Sequence, residues 1–202
     1  MRDKYHIKQN KKAFLYPDEW KKFYYKLSHK QQSYFKIAIN TGGRINEILH
    51  LTSNDLNRER NQLTFRITKV KAKKKQTRPE PRTILISSEF SAWLNRYIKS
   101  SKVKQNELIV KIGKSAIHKI IKEKLKEIRD KDYDDFSSHN LRKTHGNWLL
   151  AIGVPGQEVA LRLGHDMNTL LGHYASPTLF NTEDKIRIVD EIGDLYKDLR
   201  RI

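Results

Sequence analysis

The chain contains no cysteine, which excludes disulfide bonds, a cysteine nucleophile and thiolate ligands to a metal. It also lacks an apolar run long enough to span a membrane, and its first residues, MRDKYHIKQNKKAF, lack the apolar segment of a signal peptide. Acidic residues are few beside basic ones, with 23 Asp and Glu against 41 Lys and Arg and a formal net charge of +18. Nucleic acid is the first candidate partner for such a charge, an anionic membrane surface is the second, and a solvated lysine-rich surface is the ordinary alternative.

The length of 202 residues suits one domain, or one domain with an arm, and a hydrophobic content of 37% allows a packed core. Residues 1–16 are basic and show no period, so they are interpreted as an N-terminal arm. Pro17 and the acidic residues after it predict the start of a helix, and Ser28 with Gln31 predicts a capping box at the start of the next one. The last residues, 183–202, predict a C-terminal helix with an apolar stripe.

Two segments in the first half of the chain alternate apolar and polar residues, as half-buried strands do. The first begins at Leu63 and the second at Arg82, and the charged sequence KAKKKQTRPEP lies between them. This pattern predicts a β-hairpin with a long basic tip. The remaining periodicity is helical, so the predicted fold is mainly α with a small antiparallel β-sheet (α+β), formed by one domain over residues 17–182.

Four segments hold residues suited to phosphoryl transfer: TGGRINEILHL, the lysine-rich hairpin, HNLRKTH and LGHDMNTLLGHY. Between them they supply two arginines, a lysine, two histidines and a tyrosine. Arginine forks bind two phosphate oxygens at once, and a tyrosine can act as a covalent nucleophile. Since the chain has neither clustered carboxylates nor a phosphate-cradling glycine loop, these residues favour a metal-free covalent route.

The four segments resemble the tyrosine recombinase (phage integrase) family, which includes Xer-type and archaeal integrases. The family pattern T-G-x-R-x-x-E-[IL] is matched by residues 41–48, and H-x-x-R by His139 and Arg142. An L-G-H follows at residues 163–165, and Tyr174 stands nine residues after His165. The resemblance covers residues 17–180 and implies the tyrosine recombinase catalytic-domain fold.

The resemblance implies a role for each residue of the pattern. Arg44 and Arg142 would hold the scissile phosphate with help from His165, while Tyr174 attacks phosphorus and His139 assists the proton transfer. The product would be a 3′-phosphotyrosyl enzyme and a free 5′-hydroxyl, formed without metal or other cofactor. The implied catalytic set is Arg44, Lys69, His139, Arg142, His165 and Tyr174.

The family lysine lies on the hairpin, and two residues of this chain compete for its place. Lys69 and Lys71 fall on the same face of the predicted strand. Lys69 follows the apolar strand residues as the family lysine does, so we assign it the protonation of the leaving 5′-oxygen. The expected phosphate-contacting residues are Lys71, Lys73, Lys74, Lys75 and Arg78.

Ordinary structural roles remain for the same residues. Arg142 could pair with a carboxylate such as Asp135, His139 could cap a helix, and Tyr174 is one of nine tyrosines. The histidines do not predict a metal site, because none forms a helical i, i+4 pair and no cysteine assists. Lys143 follows Arg142 where many family members carry histidine or arginine, and we expect it to keep the positive charge.

The implied function is a site-specific DNA recombinase or integrase with double-stranded DNA as its partner and no small-molecule substrate. A type IB topoisomerase-like enzyme and a DNA-binding factor without cleavage are the alternatives. The helix at 183–202 either packs on its own core or docks on a neighbouring protomer, which would give a dimer or tetramer on DNA. Relatives usually carry a helical domain before the catalytic one, so the chain is expected to be a fragment or a naturally minimal protein. Its expected location is cytoplasmic and nucleoid-associated.

Overall fold

The computed structural model describes residues 13–66, 81–128, 136–164, 166–173, 177–193 and 195. Within these residues helices dominate, and three short strands form one antiparallel sheet, which confirms the predicted fold class. The helices are α1 (Pro17–Tyr25), α2 (His29–Thr41), α3 (Ile45–Leu49), α4 (Ser88–Ser100), α5 (Lys114–Lys126), α6 (Ser138–Ala151), α7 (Gly156–Leu163), α8 (Met167–His173) and α9 (Thr182–Ile192). The strands are β1 (Leu56–Asn57), β2 (Gln62–Phe65) and β3 (Arg82–Leu85), and 3-10 turns span Ser53–Asp55 and Pro177–Leu179.

The first two helices begin where their sequences predict. At α1 the Glu19 carboxylate accepts the backbone N–H of Tyr16 at 2.8 Å, and Pro17 occupies the first helical position, where no N–H is needed. At α2 the backbone N–H of Ser28 donates to Gln31 Oε1 at 2.9 Å. Both contacts satisfy backbone donors that the first turn of a helix leaves without an internal partner.

The sheet has the order β1-β2-β3 with antiparallel neighbours. In the β2–β3 register Leu63 lies opposite Ile84, and Phe65 lies opposite Arg82. Leu63, Phe65 and Ile84 are buried in the core, whereas Thr64 on the other face forms a hydrogen bond of 2.9 Å with its cross-strand partner. The strands of the predicted hairpin are therefore confirmed, and its tip lies outside the described residues.

The boundary predicted for the N-terminal arm is wrong by four residues, because 13–16 are buried rather than part of an arm. Leu15 binds α6 through both of its backbone polar groups. Its N–H donates to Thr144 Oγ1 at 3.0 Å, and its carbonyl accepts from the Trp148 indole N–H at 2.9 Å. The Phe14 and Phe180 rings pack with centroids 5.2 Å apart. Apolar Ala-Phe-Leu-Tyr thus joins the core, and residues 1–12 lie outside the described residues.

The C-terminal helix ends earlier than its apolar stripe predicts. α9 stops at Ile192 because Gly193 takes a positive φ of 85°, and a side chain there would collide with the Ser87 hydroxyl. Ile188 and Ile192 are buried in the chain's own core, and Leu195 packs against it. This part of the stripe is therefore used within the chain, and residues 196–202 lie outside the described residues. Among the described helices, none is both long and apolar enough to cross a membrane.

Candidate active site

Three of the six residues of the implied catalytic set lie in the described part of the chain: Arg44, His139 and Arg142. Lys69, His165 and Tyr174 lie outside it. The expected phosphate-contacting residues also lie outside it, namely Lys71, Lys73, Lys74, Lys75 and Arg78. The described site is therefore the arginine cluster and the segments that border the other residues.

Arg142 connects the end of α2 to the end of α7. Its side chain projects from α6 and is only 2% exposed. One terminal N–H donates to the carbonyl of Gly42 at 2.6 Å, and the other donates to the carbonyl of Leu163. The T-G-G-R segment and the L-G-H segment, which are about 120 residues apart in the sequence, are thus held together by this guanidinium.

Gly42 allows this approach. Its φ of 62° is left-handed, which glycine adopts without a steric penalty. A Cβ at this position would lie 2.6 Å from Leu163 Cδ2 and 2.7 Å from His145 Cδ2. The glycine is therefore required both by the backbone angle and by the close packing of α2 against α6 and α7.

Arg44 immediately precedes α3 and faces the same end of α7. Its guanidinium donates to Glu47 Oε1 at 3.0 Å and to the carbonyl of Gly164 at 3.1 Å. The backbone N–H of Arg44 also donates to Glu47 Oε2 at 2.7 Å, so the carboxylate fixes both the backbone and the side chain. The Arg44 side chain remains 28% exposed and can reach a ligand.

A third arginine, Arg82, belongs to the cluster although the sequence interpretation gave it only the start of a strand. It donates to Glu47 Oε2 at 2.8 Å and to the carbonyl of Arg162 at 2.5 Å. Its guanidinium lies over the Phe65 ring, 4.5 Å from the centroid. The sequence offered one signal, a cation at the strand start next to the basic tip, but no indication of its partners.

Three consecutive carbonyls at the end of α7, those of residues 162, 163 and 164, therefore each accept from a different arginine. The last carbonyls of a helix have no internal partners and carry its partial negative charge, so cations are stabilised there. This arrangement gathers three guanidinium groups around the backbone immediately before His165 in the chain. Of the three, Arg44 is the most exposed, so its guanidinium is the one best placed to contact an anion with several oxygens.

Glu47 stays ionised at the centre of this cluster. Burial of its carboxyl raises the pKa, but the hydrogen bonds and charges of Arg82 and Arg44 outweigh that effect. The pKa of Glu47 consequently lies below its ordinary value. A buried, negatively charged carboxylate thus organises two of the three arginines.

The buried histidine His145 contacts Arg162, the residue whose carbonyl binds Arg82. One ring nitrogen of His145 lies 2.7 Å from the carbonyl of Ile39, and the other accepts from Arg162 Nε at 3.1 Å. Burial, together with the nearby Arg162 charge, lowers the pKa of His145 well below its usual value, so the ring is neutral. Arg162 donates further to the carbonyls of Leu85 and Asn40 at 2.7 and 3.2 Å. Among the described residues, no group of His, Asp or Glu is arranged to hold a metal ion.

His139 lies at the second position of α6 and is exposed, with its backbone N–H donating to Ser137 Oγ at 3.3 Å. Ser137, rather than His139, is the N-cap residue. Lys143 is buried at 6% exposure, and burial lowers its pKa. The Lys143 side chain is largely removed from water, because α6 faces the core along most of its length.

Comparison with known proteins gives a family and a fold. A sequence model of the phage integrase family matches residues 13–179. The structure is similar to XerA recombinase, with a TM-score of 0.63 at 17% identity over 91% of this chain and 64% of that one. It is also similar to the Tn1549 transposon integrase in complex with transposon right end DNA, with a TM-score of 0.63 at 20% identity over 94% of this chain and 66% of that one.

A further similar structure is XerH site-specific recombinase bound to difH substrate, with a TM-score of 0.60 at 20% identity over 85% of this chain and 52% of that one. At these identities the likeness shows the fold, which is that of the tyrosine recombinase catalytic domain. The chain spans two thirds or less of the length of these three solved proteins. No curated protein sequence matches the chain significantly.

Proposed function

The chain belongs to the phage integrase family, and from this premise we propose that it is a site-specific DNA recombinase that cuts and rejoins strands through a 3′-phosphotyrosyl intermediate. The observation that carries the proposal is the convergence of Arg44 and Arg142 on neighbouring carbonyls at the end of α7. These two arginines come from distant segments, and each segment matches the family pattern. Their meeting directly before His165 in the chain supports a phosphate site at that place.

The proposed reaction exchanges one phosphoester for another. The Tyr174 oxygen forms a bond to phosphorus, the bond from phosphorus to the 5′-oxygen breaks, and Lys69 supplies the proton to that oxygen. His139 assists removal of the tyrosine proton, and the arginines stabilise the charge that develops on the phosphate oxygens. Attack by the 5′-hydroxyl of another strand on the phosphotyrosine reverses these steps and completes recombination.

Within the site, the two arginines have different tasks. Arg142 is fully buried and already donates to two carbonyls, so it fixes the relative positions of α2 and α7. Arg44 is partly exposed and provides the charge that an incoming phosphodiester meets first. The proposed partner is double-stranded DNA, with the basic hairpin tip along its phosphates, and the proposed place of action is the nucleoid.

The first experiment tests the nucleophile. The full chain is incubated with a library of nicked duplexes, and the DNA that becomes covalently attached is separated under denaturing conditions and sequenced. Tyr174→Phe should bind DNA yet form no adduct, whereas Tyr25→Phe, at a tyrosine that is 73% exposed on α1, should react like the parent. An adduct that persists in Tyr174→Phe and maps to another tyrosine contradicts the assignment.

A second experiment chooses between the two hairpin lysines. A 5′-bridging phosphorothioate has a thiolate leaving group that needs no proton. Lys69→Ala should lose cleavage of the normal phosphodiester and regain it on the phosphorothioate, while Tyr174→Phe stays inactive on both. Rescue of Lys71→Ala alone would transfer the acid role to Lys71.

One observation favours a second candidate, a type IB topoisomerase-like enzyme. Ile188, Ile192 and Leu195 pack on the chain's own core, and strand relaxation needs no neighbouring protomer. Cutting the chain after Leu195 preserves this packing and removes only the following residues. If the shortened protein keeps its melting temperature, loses assembly on DNA and loses recombination, the recombinase is supported. If it relaxes supercoiled DNA as a monomer, the topoisomerase is supported.

A further inference from the structure

The Glu47 carboxylate is shared by two arginines and has no accepting position left. Oε1 accepts from Arg44 Nη1 at 3.0 Å and from Arg82 Nε at 3.3 Å. Oε2 accepts from the Arg44 backbone N–H at 2.7 Å and from Arg82 Nη2 at 2.8 Å. A carboxylate offers about four lone-pair sites, so these four donors fill it. The carboxylate itself is 1% exposed and cannot exchange these partners for water.

The second arginine offsets the negative charge that Glu47 would otherwise place beside the proposed phosphate site. An arginine paired with one buried carboxylate forms a neutral unit, and the carboxylate repels an approaching phosphodiester. The pair of Arg44 and Glu47 alone would therefore be well oriented but weakly attractive to the substrate. With Arg82 added, the three side chains carry one net positive charge, and Arg44 is the member that reaches solvent.

Arg82 is itself badly placed to touch the substrate. Its Nε and Nη2 donate to Glu47, and its Nη1 donates to the carbonyl of Arg162 at 2.5 Å. The Phe65 ring covers one face of the guanidinium at 4.5 Å. Its side chain is 16% exposed, compared with 28% for Arg44. These contacts hold Arg82 against the carboxylate rather than toward an incoming anion.

We propose that Arg82 is a positioning residue that neutralises Glu47, so that Glu47 can orient Arg44 without cancelling the charge that Arg44 presents to the scissile phosphate. The proposal rests on the function proposed above. It assigns a task to a side chain outside the implied catalytic set. The same contact to the carbonyl of Arg162 ties β3 to the α7 end, where Arg142 and Arg44 also bind.

The test is a double-mutant cycle on adduct formation by the full chain at saturating DNA, with the sequence trapped from the nicked library. Arg82→Gln should slow adduct formation about 100-fold, as loss of a charge-stabilising group does. The double variant Glu47→Gln with Arg82→Gln should be at least tenfold faster than Arg82→Gln alone, because the uncompensated carboxylate is gone. Arg82→Lys, which keeps the charge but not the fork, should fall between the parent and Arg82→Gln.

A pH profile separates this role from a merely structural one. Without Arg82, the buried Glu47 loses its main stabilising partner, so its pKa rises and it becomes protonated on mild acidification. The adduct rate of Arg82→Gln relative to the parent should then increase as the pH falls from about 8 to about 5.5. The double variant has no carboxylate to protonate, so its rate relative to the parent should show no such increase.

The matched control uses a second buried carboxylate with an arginine partner in the described part of the chain. Arg66 pairs with Asp55, whose side chain is 2% exposed. Arg66→Gln should leave the adduct rate of the folded protein at saturating DNA within about twofold, and adding Asp55→Asn should restore nothing. Each variant is compared well below its melting temperature, which circular dichroism records.

The outcomes are distinct. Two results would overturn the positioning role of Arg82 and leave the proposed function standing, provided that the parent forms adducts. In the first, the double variant is no faster than Arg82→Gln. In the second, the rate of Arg82→Gln relative to the parent does not change with pH. If the parent forms no adduct on any duplex of the library, the proposed function fails and the role of Arg82 in it falls as well.

Discussion

Glu47 and Asp55 are two buried carboxylates that make the same kinds of local contact but have different surroundings. Each accepts the backbone N–H three residues before it, that of Arg44 at 2.7 Å and that of Thr52 at 2.8 Å. Each also pairs with an arginine of the hairpin: Glu47 pairs with Arg82, the first residue of β3, and Asp55 pairs with Arg66, the residue directly after β2.

The two carboxylates differ in the number of arginines they bind and in the other groups that those arginines contact. Asp55 holds one arginine, whose side chain is 62% exposed, and its second oxygen also accepts from the Thr52 hydroxyl at 2.9 Å. Glu47 holds two arginines, and both continue to carbonyls at the end of α7. Both carboxylates thus cap a backbone N–H, but Asp55 stabilises only its own turn, whereas Glu47 lies at the centre of a charged site. The second arginine bound to Glu47 accounts for this difference.

The largest expected effect is on stability. Glu47→Ala should lower the free energy of unfolding by about 3–5 kcal/mol, because it leaves two largely buried arginine charges without their carboxylate. Asp55→Ala should cost about 0.5–2 kcal/mol, since it removes a cap while the exposed Arg66 regains water. Denaturant unfolding followed by circular dichroism measures both, and equal losses would contradict the distinction.

The next effect is on catalysis. Arg44→Ala should reduce the rate of adduct formation by about 10²–10³-fold, as removal of one transition-state donor does. Arg66→Ala should leave that rate within about twofold at saturating DNA. Single-turnover trapping on the same nicked duplex measures both rates. A large loss of rate in Arg66→Ala would show that Asp55 and Arg66 also belong to the active site, which contradicts the distinction between the two carboxylates.

Acid should separate the parent from a Glu47 variant. The folded-state pKa of Glu47 is lowered, so its contribution to stability is complete above its ordinary unfolded value and is lost as the pH falls through the folded value. The parent should therefore lose up to about 1.4 kcal/mol per pH unit from this group below a pH of about 4.5, and Glu47→Gln should lack that part of the slope. Parallel curves for the two proteins between pH 5 and pH 2 would refute this.

The smallest effect concerns the hairpin tip, which lies between Arg66 and Arg82 in the sequence. Replacing Lys73, Lys74 and Lys75 with glutamine should weaken binding to all duplex sequences alike. It should also reduce the slope of log K against log salt by about two to three units, roughly 0.9 for each lost phosphate contact. An unchanged slope would show that the tip does not contact DNA.

The sequence predicted the parts of the fold that depend on neighbouring residues. The capping box of Ser28 and Gln31 and the alternation that begins at Leu63 each describe interactions over a few positions, and both are confirmed. The meeting of Arg44 and Arg142 was implied by the family pattern, and the structure brings both to the end of α7.

The parts that could not be predicted are set by tertiary contacts. Nothing near Arg82 indicates that it will share a carboxylate 35 positions earlier or bind a carbonyl 80 positions later. Residues 13–16 are buried, but four residues are too few to show a period, so the sequence does not separate them from the basic residues before them. The sequence predicts a longer last helix than the structure has, because an apolar stripe can continue past a glycine that ends the helix.

The attachment of Leu15 to α6 has a mechanical consequence. The N–H and the carbonyl of this one residue bind Thr144 and Trp148, one turn apart on the helix that carries Arg142, and the carbonyl of Ala13 accepts from Asn140 at 3.2 Å. Separating residues 13–15 from α6 therefore requires that all three of these hydrogen bonds break. The backbone amide of Leu15 should exchange with deuterium on the timescale of α6 itself rather than on that of a chain end.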